Sequence, residues 1–164
     1  MRNLVAVLIL VLPLGLSKAQ SAPARPVEPS AIGVVYRLDP TSQELKRLPD
    51  EPWKESNDKF PPYDQFVAVS GQSSSFRIRS GERIDFVFQT GSPEKVSLYR
   101  LIQKKKKRQL YYEKNWVTIA PIKGLPADVS KYGESSYKLV PASPLTPGEY
   151  AINIAGEVYT FGVD

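Results

Sequence analysis

From residue 31 onwards, short runs of alternating apolar and polar residues are separated by turn residues such as Gly, Pro, Asp and Ser. The clearest run spans residues 83–89, where Ile84, Phe86 and Phe88 fall on one face of a strand. The same pattern predicts strands at residues 32–38, 44–48, 66–69, 75–79, 83–89, 95–103, 108–114, 116–120, 135–140, 149–155 and 157–163. Turn signals about every 8 to 12 residues, without a helical period, are typical of an all-β sandwich.

Two stretches interrupt this pattern. Residues 49–64 are polar and contain four prolines, so they predict a long loop, with Trp53 as an aromatic residue in a polar setting. Residues 126–133 begin with Pro and end with Gly, an asymmetry that favours one helical turn. The first two strands flank a turn at Asp39 and predict an N-terminal hairpin.

A tyrosine-corner pattern stands near the end of the chain. Leu145 precedes Tyr150 by five residues, and Pro147 and Gly148 form a turn signal between them. In such a corner, a Tyr hydroxyl bonds to the upstream backbone where the chain crosses between two sheets.

On these residues, and over positions 66–164, the chain resembles the immunoglobulin-like and fibronectin type III domains. The resemblance implies an immunoglobulin-like antiparallel two-sheet sandwich, here with an additional N-terminal β-hairpin. The Cys-Trp-Cys core of antibody domains is absent, because the chain has no Cys. The resemblance concerns the fold and implies no activity, since many unrelated functions share this architecture.

The N-terminus predicts an export signal. Arg2 precedes an apolar run at residues 4–16, and small residues lead to a cleavage site before Gln20. A run of about 13 residues is short for a membrane span of roughly 20, so a retained anchor is the less favoured alternative. We expect a signal peptide at 1–19, a disordered Pro-rich linker at 20–30, a docked hairpin and loop at 31–64, and the sandwich at 65–164.

Composition excludes several kinds of function. The 164 residues contain 22 Lys and Arg against 17 Asp and Glu, giving a net charge of +5. Arg2 and Lys18 lie in the predicted signal peptide, which leaves only +3 and does not favour nucleic-acid binding. The chain has neither His nor Cys, which excludes Ser-His-Asp and Cys-His catalysis and the metal and haem sites those residues ligate. We expect no enzyme, no cofactor and no metal, although carboxylate chemistry, Ser-Lys chemistry and oxygen-ligated metals stay open for these residue types.

A run of five cations is the strongest local anomaly. Lys104, Lys105, Lys106, Lys107 and Arg108 fall where the hairpin of strands 95–103 and 108–114 must turn. A solvated hairpin tip is the favoured interpretation of such a run, and the alternative is a site that attracts phosphates, acidic polysaccharides or lipid head groups. Tyr111, Tyr112 and Trp53 are candidate stacking residues, with burial in the core as their alternative.

These observations predict a bacterial protein that is secreted or periplasmic, with no transmembrane segment after signal cleavage. The favoured function is a non-catalytic binding or structural module for a partner protein in the envelope or extracellular space. The alternative is a polyanion- or carbohydrate-binding module that uses the basic run and the nearby aromatic residues.

Overall fold

The computed structural model describes residues 26–57, 65–114, 119–121 and 123–164. The predicted signal peptide, and the predicted linker up to residue 25, lie outside these residues. The described strands are β1 (Val35–Leu38), β2 (Leu45–Arg47), β3 (Trp53–Asn57), β4 (Gln65–Ser70), β5 (Arg77–Ile78), β6 (Asp85–Gln89), β7 (Ser97–Lys104), β8 (Lys107–Lys114), β9 (Ile119–Pro121), β10 (Ala127–Lys131), β11 (Ser136–Pro141), β12 (Gly148–Ile154) and β13 (Glu157–Val163). One 3-10 turn, Pro93–Lys95, precedes β7.

The strands form two sheets that pack as an all-β sandwich, as the alternating pattern predicts. The five-stranded sheet has the order β10-β11-β6-β1-β2 and is antiparallel throughout. The eight-stranded sheet has the order β3-β4-β8-β7-β12-β13-β5, with β9 paired to β8. Its pairs are antiparallel except for the short β5, which runs parallel to β13. The predicted N-terminal hairpin, β1 and β2, belongs to the five-stranded sheet because β1 pairs with β6.

The main core lies between the sheets and is rich in aromatic rings. Phe86 on β6 contacts Phe161 on β13, with ring centroids 4.8 Å apart, so these two rings join the two sheets. Phe161 also stacks on Tyr150 at 5.4 Å. Ile84, Phe86 and Phe88 are all buried in this core, as their spacing predicts.

The eight-stranded sheet also curves so strongly that the segment before β3 contacts β13 near its other end. The backbone just before β3 bonds to β13: the Glu51 N–H donates to the Val158 carbonyl at 3.1 Å. The Thr160 N–H donates to the Pro49 carbonyl at 3.2 Å. Because β3 stands at one end of the strand order and β13 near the other, β3, β4, β8, β7, β12 and β13 form a closed ring, called here the six-strand ring. This ring has an interior of its own, separate from the main core.

Two predictions of local structure are wrong. The predicted loop over residues 49–64 contains strand β3, because five consecutive residues pair with β4 from Trp53 opposite Val69 to Asn57 opposite Gln65. The predicted helical turn at 126–133 is instead strand β10, which pairs with β11 along all five of its residues. Both are outermost in the strand order of their sheets, and ladder hydrogen bonds decide their conformation over the weak local signals of Pro and Gly.

The end of the predicted linker is held against the sandwich. The Glu28 carboxylate accepts hydrogen bonds from the backbone N–H of Glu134 at 2.7 Å and from the hydroxyls of Ser135 and Ser136 at 2.9 and 2.8 Å. These bonds, chiefly that of the Ser136 hydroxyl and the backbone N–H groups, lower the pKa of Glu28 to about 2. Pro29 is buried and its carbonyl accepts from the Gln89 side chain at 2.9 Å. Residues 28 and 29 are therefore part of the folded domain.

The crossing from β11 to β12 carries the chain between the two sheets. There the Tyr150 hydroxyl donates to the Thr146 carbonyl at 2.6 Å, while its ring is buried in the main core. Leu145 packs against the same core. The Arg100 guanidinium donates to the Pro147 carbonyl at 3.1 Å, and a Cβ on Gly148 would lie 3.2 Å from its Nη2 atom. The four residues of the tyrosine-corner pattern thus hold the chain where it crosses between the sheets: Leu145, Pro147, Gly148 and Tyr150.

Removing the Tyr150 hydroxyl should weaken this crossing without changing the fold. We expect Tyr150→Phe to lower the free energy of unfolding by about 1 kcal/mol, the net contribution of one hydrogen bond. Urea unfolding checks this value. Tyr150→Leu, which also removes the ring packed on Phe161, should cost more, and an unchanged midpoint for Tyr150→Phe would show that the hydroxyl contributes nothing.

Candidate functional site

The basic run lies at the tip of the β7–β8 hairpin. Lys104 pairs with Lys107 across the hairpin, and Lys105 and Lys106 form the two-residue connection. Lys105 adopts a left-handed conformation with φ 57°, which this tight connection requires. All four lysines are exposed. Their four charges therefore stand together at the hairpin tip.

The tip is braced by a neighbouring loop. The Gln72 side-chain amide donates to the Lys105 carbonyl at 2.7 Å. In turn, the Gln103 amide donates to the Gln72 carbonyl at 2.6 Å. These two bonds tie the hairpin tip to the turn after β4 and hold the backbone that carries the lysines. No local pattern predicts this role for Gln72, because its partner lies 33 residues away in the chain.

One aromatic side chain joins the basic tip. The Lys104 Nζ atom lies 3.1 Å from the Tyr111 hydroxyl and 5.7 Å from the centre of the Tyr111 ring. Tyr111 donates to the Gln109 side-chain oxygen at 3.0 Å and its ring contacts Phe66 at 5.4 Å. The backbone of Tyr112 lies in β8, and its side chain is outside the described part of the structure. Lys104 and Tyr111 thus form a combined cationic and aromatic surface beside the connection.

Arg108 does not belong to this exposed surface. Its side chain is only 1% exposed, because strand alternation turns it into the six-strand ring while Lys107 points outward. It forms an ion pair with Glu51 and lies 3.6 Å from Glu149. It also donates to the Thr160 hydroxyl at 3.1 Å. The exposed site therefore has four cations, and the fifth is a structural residue.

The ion pairs continue from Arg108 toward the C-terminus. The Glu149 carboxylate, 3% exposed, accepts from the Ser74 N–H at 2.8 Å and pairs with Arg77. Arg77 also pairs with Asp164, which lowers the pKa of that carboxyl. Each of these charged groups has a partner that belongs to the fold, so the cluster serves structure. Within the described residues, no group of three or more His, Cys, Asp and Glu side chains is placed to hold a metal ion.

Trp53 lies inside the six-strand ring and does not extend the basic tip. Its indole N–H donates to the Gly156 carbonyl, 3.0 Å away in the β12–β13 turn. The ring around it is lined by apolar side chains, and a cavity of ≈ 60 Å³ remains among them. This cavity is not predictable from local sequence patterns, because its lining residues are spread from Trp53 to Val158 over six strands.

Comparison with known proteins adds no identity. No family model, no curated protein and no solved structure matches the chain. Among the described residues, no helix has the length and apolar character needed to cross a membrane. What the geometry defines is an all-β sandwich with a braced, four-lysine surface and a separate apolar cavity.

Proposed function

We propose that the protein is an exported, non-catalytic binding module that recognises an acidic surface on a partner protein of the envelope or extracellular space. The observation that carries this proposal is the four-lysine tip, which is exposed and braced by Gln72. Charges held in fixed positions steer a complementary partner and set its orientation. Export and a periplasmic or secreted location rest on the N-terminal pattern of residues 1–19.

An immunoglobulin-like character is part of the same proposal. It is supported by the hydrogen bond from Tyr150 to the Thr146 carbonyl at the crossing between sheets. Domains of this kind commonly bind through the loops and hairpins at the ends of the sandwich. The β7–β8 tip is a connection of that kind. The paired state of Arg108, Glu149 and Arg77 supports a non-catalytic role, because these charges are engaged in holding strands together.

An anionic polymer or lipid head group is the second candidate for the same tip. The observation that favours it is the density of charge, four lysines over consecutive positions with Tyr111 beside them. Near an anionic membrane, each basic residue contributes about 1 kcal/mol. The two candidates differ in whether a defined protein surface is needed.

Replacing the four lysines together tests both candidates. We expect a variant with Lys104, Lys105, Lys106 and Lys107 changed to Ser to lose the partner recovered by cross-linking from the native envelope. Binding of the unmodified protein should fall steeply with salt, because exposed charges are screened. A matched control replaces Lys54, Lys95, Lys123 and Lys131, which are exposed elsewhere, and has the same net charge.

The two arms of the experiment separate the partners. Vesicles rich in anionic lipid and a heparin column test the polymer and head-group candidate, for which the tip variant should lose up to about a thousandfold in vesicle affinity. The first proposal is supported if the tip variant loses its protein partner and the unmodified protein binds neither vesicles nor the heparin column. Equal binding by the tip variant and its control in every arm would refute a role for the tip.

A further inference from the structure

The interior of the six-strand ring forms a second apolar cluster, distinct from the main core. Its buried members are Val69, Leu101, Ala151 and Val158, with Trp53 and Leu110 packed against them. These side chains come from all six strands of the ring, so strands surround the axis of the remaining cavity. This position inside the ring distinguishes a pocket from an exposed patch.

One end of the pocket is closed by charged side chains. Arg108 precedes Leu110 by two residues on β8, and Glu149 precedes Ala151 by two residues on β12. Residues two apart on a strand share a face, so Arg108 and Glu149 lie in the same interior as the apolar cluster. Their ion pairs and the bond to Thr160 fill that end. The pocket is therefore blind.

The rest of the pocket is open to solvent and is not filled by the chain's own side chains. Trp53, Val67, Tyr99 and Asn153 line it and are each partly exposed. Ala151, near the middle of the wall, is small. The cavity has a volume of ≈ 60 Å³, and one water requires roughly 10–15 Å³. The cavity can therefore hold about four to six groups of that size, such as the methylenes of one chain. Trp53 forms a fixed wall because its N–H is bound to Gly156.

The lining selects the chemistry of an occupant. Most side chains around the cavity are aliphatic or aromatic, and Asn153 and the Tyr99 hydroxyl are its polar side-chain groups. A polar or charged molecule would lose hydration there without regaining hydrogen bonds. A blind, narrow, apolar pocket open at one end instead fits the end of an unbranched hydrocarbon chain, with a polar head left in solvent.

We propose that the six-strand ring binds the terminal four to six carbons of an aliphatic chain between Trp53, Ala151 and Val158. The chain belongs to a free fatty acid or alcohol, or to a membrane lipid. This binding is independent of the lysine tip.

A chain-length series tests the proposal on the full chain. Butanol to decanol and the matching fatty acids are titrated by calorimetry, and by Trp53 fluorescence in a Trp116→Phe background, since the chain has two Trp. Affinity should rise about fourfold per added methylene and level off once four to six carbons are seated. Binding should also raise the melting temperature. Phosphatidylcholine vesicles, which carry no net charge, test the lipid source.

Pocket-filling variants decide the location. Ala151→Leu should abolish the chain-length dependence, whereas Ala142→Leu makes the same change at an exposed loop position and should bind as the unmodified protein does. Val67→Phe, at a more tolerant position of the wall, provides a second test should Ala151→Leu unfold. The lysine-tip variant should retain full affinity.

Binding unaffected by both pocket variants, or no binding up to the solubility limit of decanol, would overturn the proposal and leave the cavity a dry void. If the protein binds vesicles and Ala151→Leu abolishes that binding, the hydrocarbon chain belongs to a membrane lipid. If the protein binds only free alcohols or fatty acids, the hydrocarbon chain belongs to a soluble amphiphile.

Discussion

Arg108→Ala should destabilise the protein by about 3 kcal/mol or more, although its four basic neighbours in sequence can be replaced at little cost. The substitution leaves the partly buried Glu51 carboxylate without its counter-charge and the buried Glu149 carboxylate with Arg77 alone. Breaking a buried ion pair from one side typically costs 3–5 kcal/mol, and Arg77 limits the loss here because it still pairs with Glu149. A loss of this size is a large part of the stability of most domains.

Guanidinium unfolding measures this loss as a shift of the midpoint at constant slope. Lys107→Ala is the matched control, because Lys107 is the adjacent residue on β8 and points outward, so its change should stay within about 0.5 kcal/mol. Arg108→Met separates charge from volume: it restores the packed stem and still removes the positive charge beside Glu51 and Glu149, so most of the loss should remain. Equal midpoints for Arg108→Ala and Lys107→Ala would contradict the buried network.

Arg108 also shows where sequence reasoning ends. A run of five cations at a predicted hairpin suggests one exposed tip, and composition does not distinguish the fifth residue from the others. The distinction depends on the strand register, which sends Lys107 outward and Arg108 toward Glu149, 41 residues later in the chain. A shift of one residue would exchange their environments, and no local pattern fixes it.

The strands themselves were more predictable than their arrangement. Eleven predicted runs correspond to described strands or overlap them, because alternation follows directly from a sheet with one buried face. Trp53–Asn57 and Ala127–Lys131 were missed, since their residues carry little apolar alternation and their pairing partners impose the extended form. The ring closure depends on the Pro49 and Glu51 backbone meeting β13, a contact that side-chain patterns do not encode.

The pocket was beyond prediction for the same reason. Val67, Leu101, Leu110 and Ala151 each look like ordinary core positions of an alternating strand. Only the curvature of the eight-stranded sheet separates them from the core between the sheets and gives them an interior of their own. In contrast, the residues around Tyr150 could be singled out, because a corner places its Tyr, Pro and Gly within six consecutive positions.

Phe161→Ala should cost about 3–5 kcal/mol, because it removes a fully buried ring at the contact between the two sheets. Phe161 is fully buried, between Phe86 of the five-stranded sheet and Tyr150 beside it on β12. The cavity left behind cannot collapse easily, since both neighbouring rings are held by their own strands. Calorimetry should show a fall in melting temperature of about 10 °C or more, at a few degrees per kcal/mol.

Phe161→Leu keeps most of the volume and should cost less than half as much. Ile102→Ala, at a position 53% exposed on β7, should have almost no effect. If the Phe161→Ala and Ile102→Ala variants had the same melting temperature, the Phe161 ring would not stabilise the contact between the sheets, and other residues would have to do so.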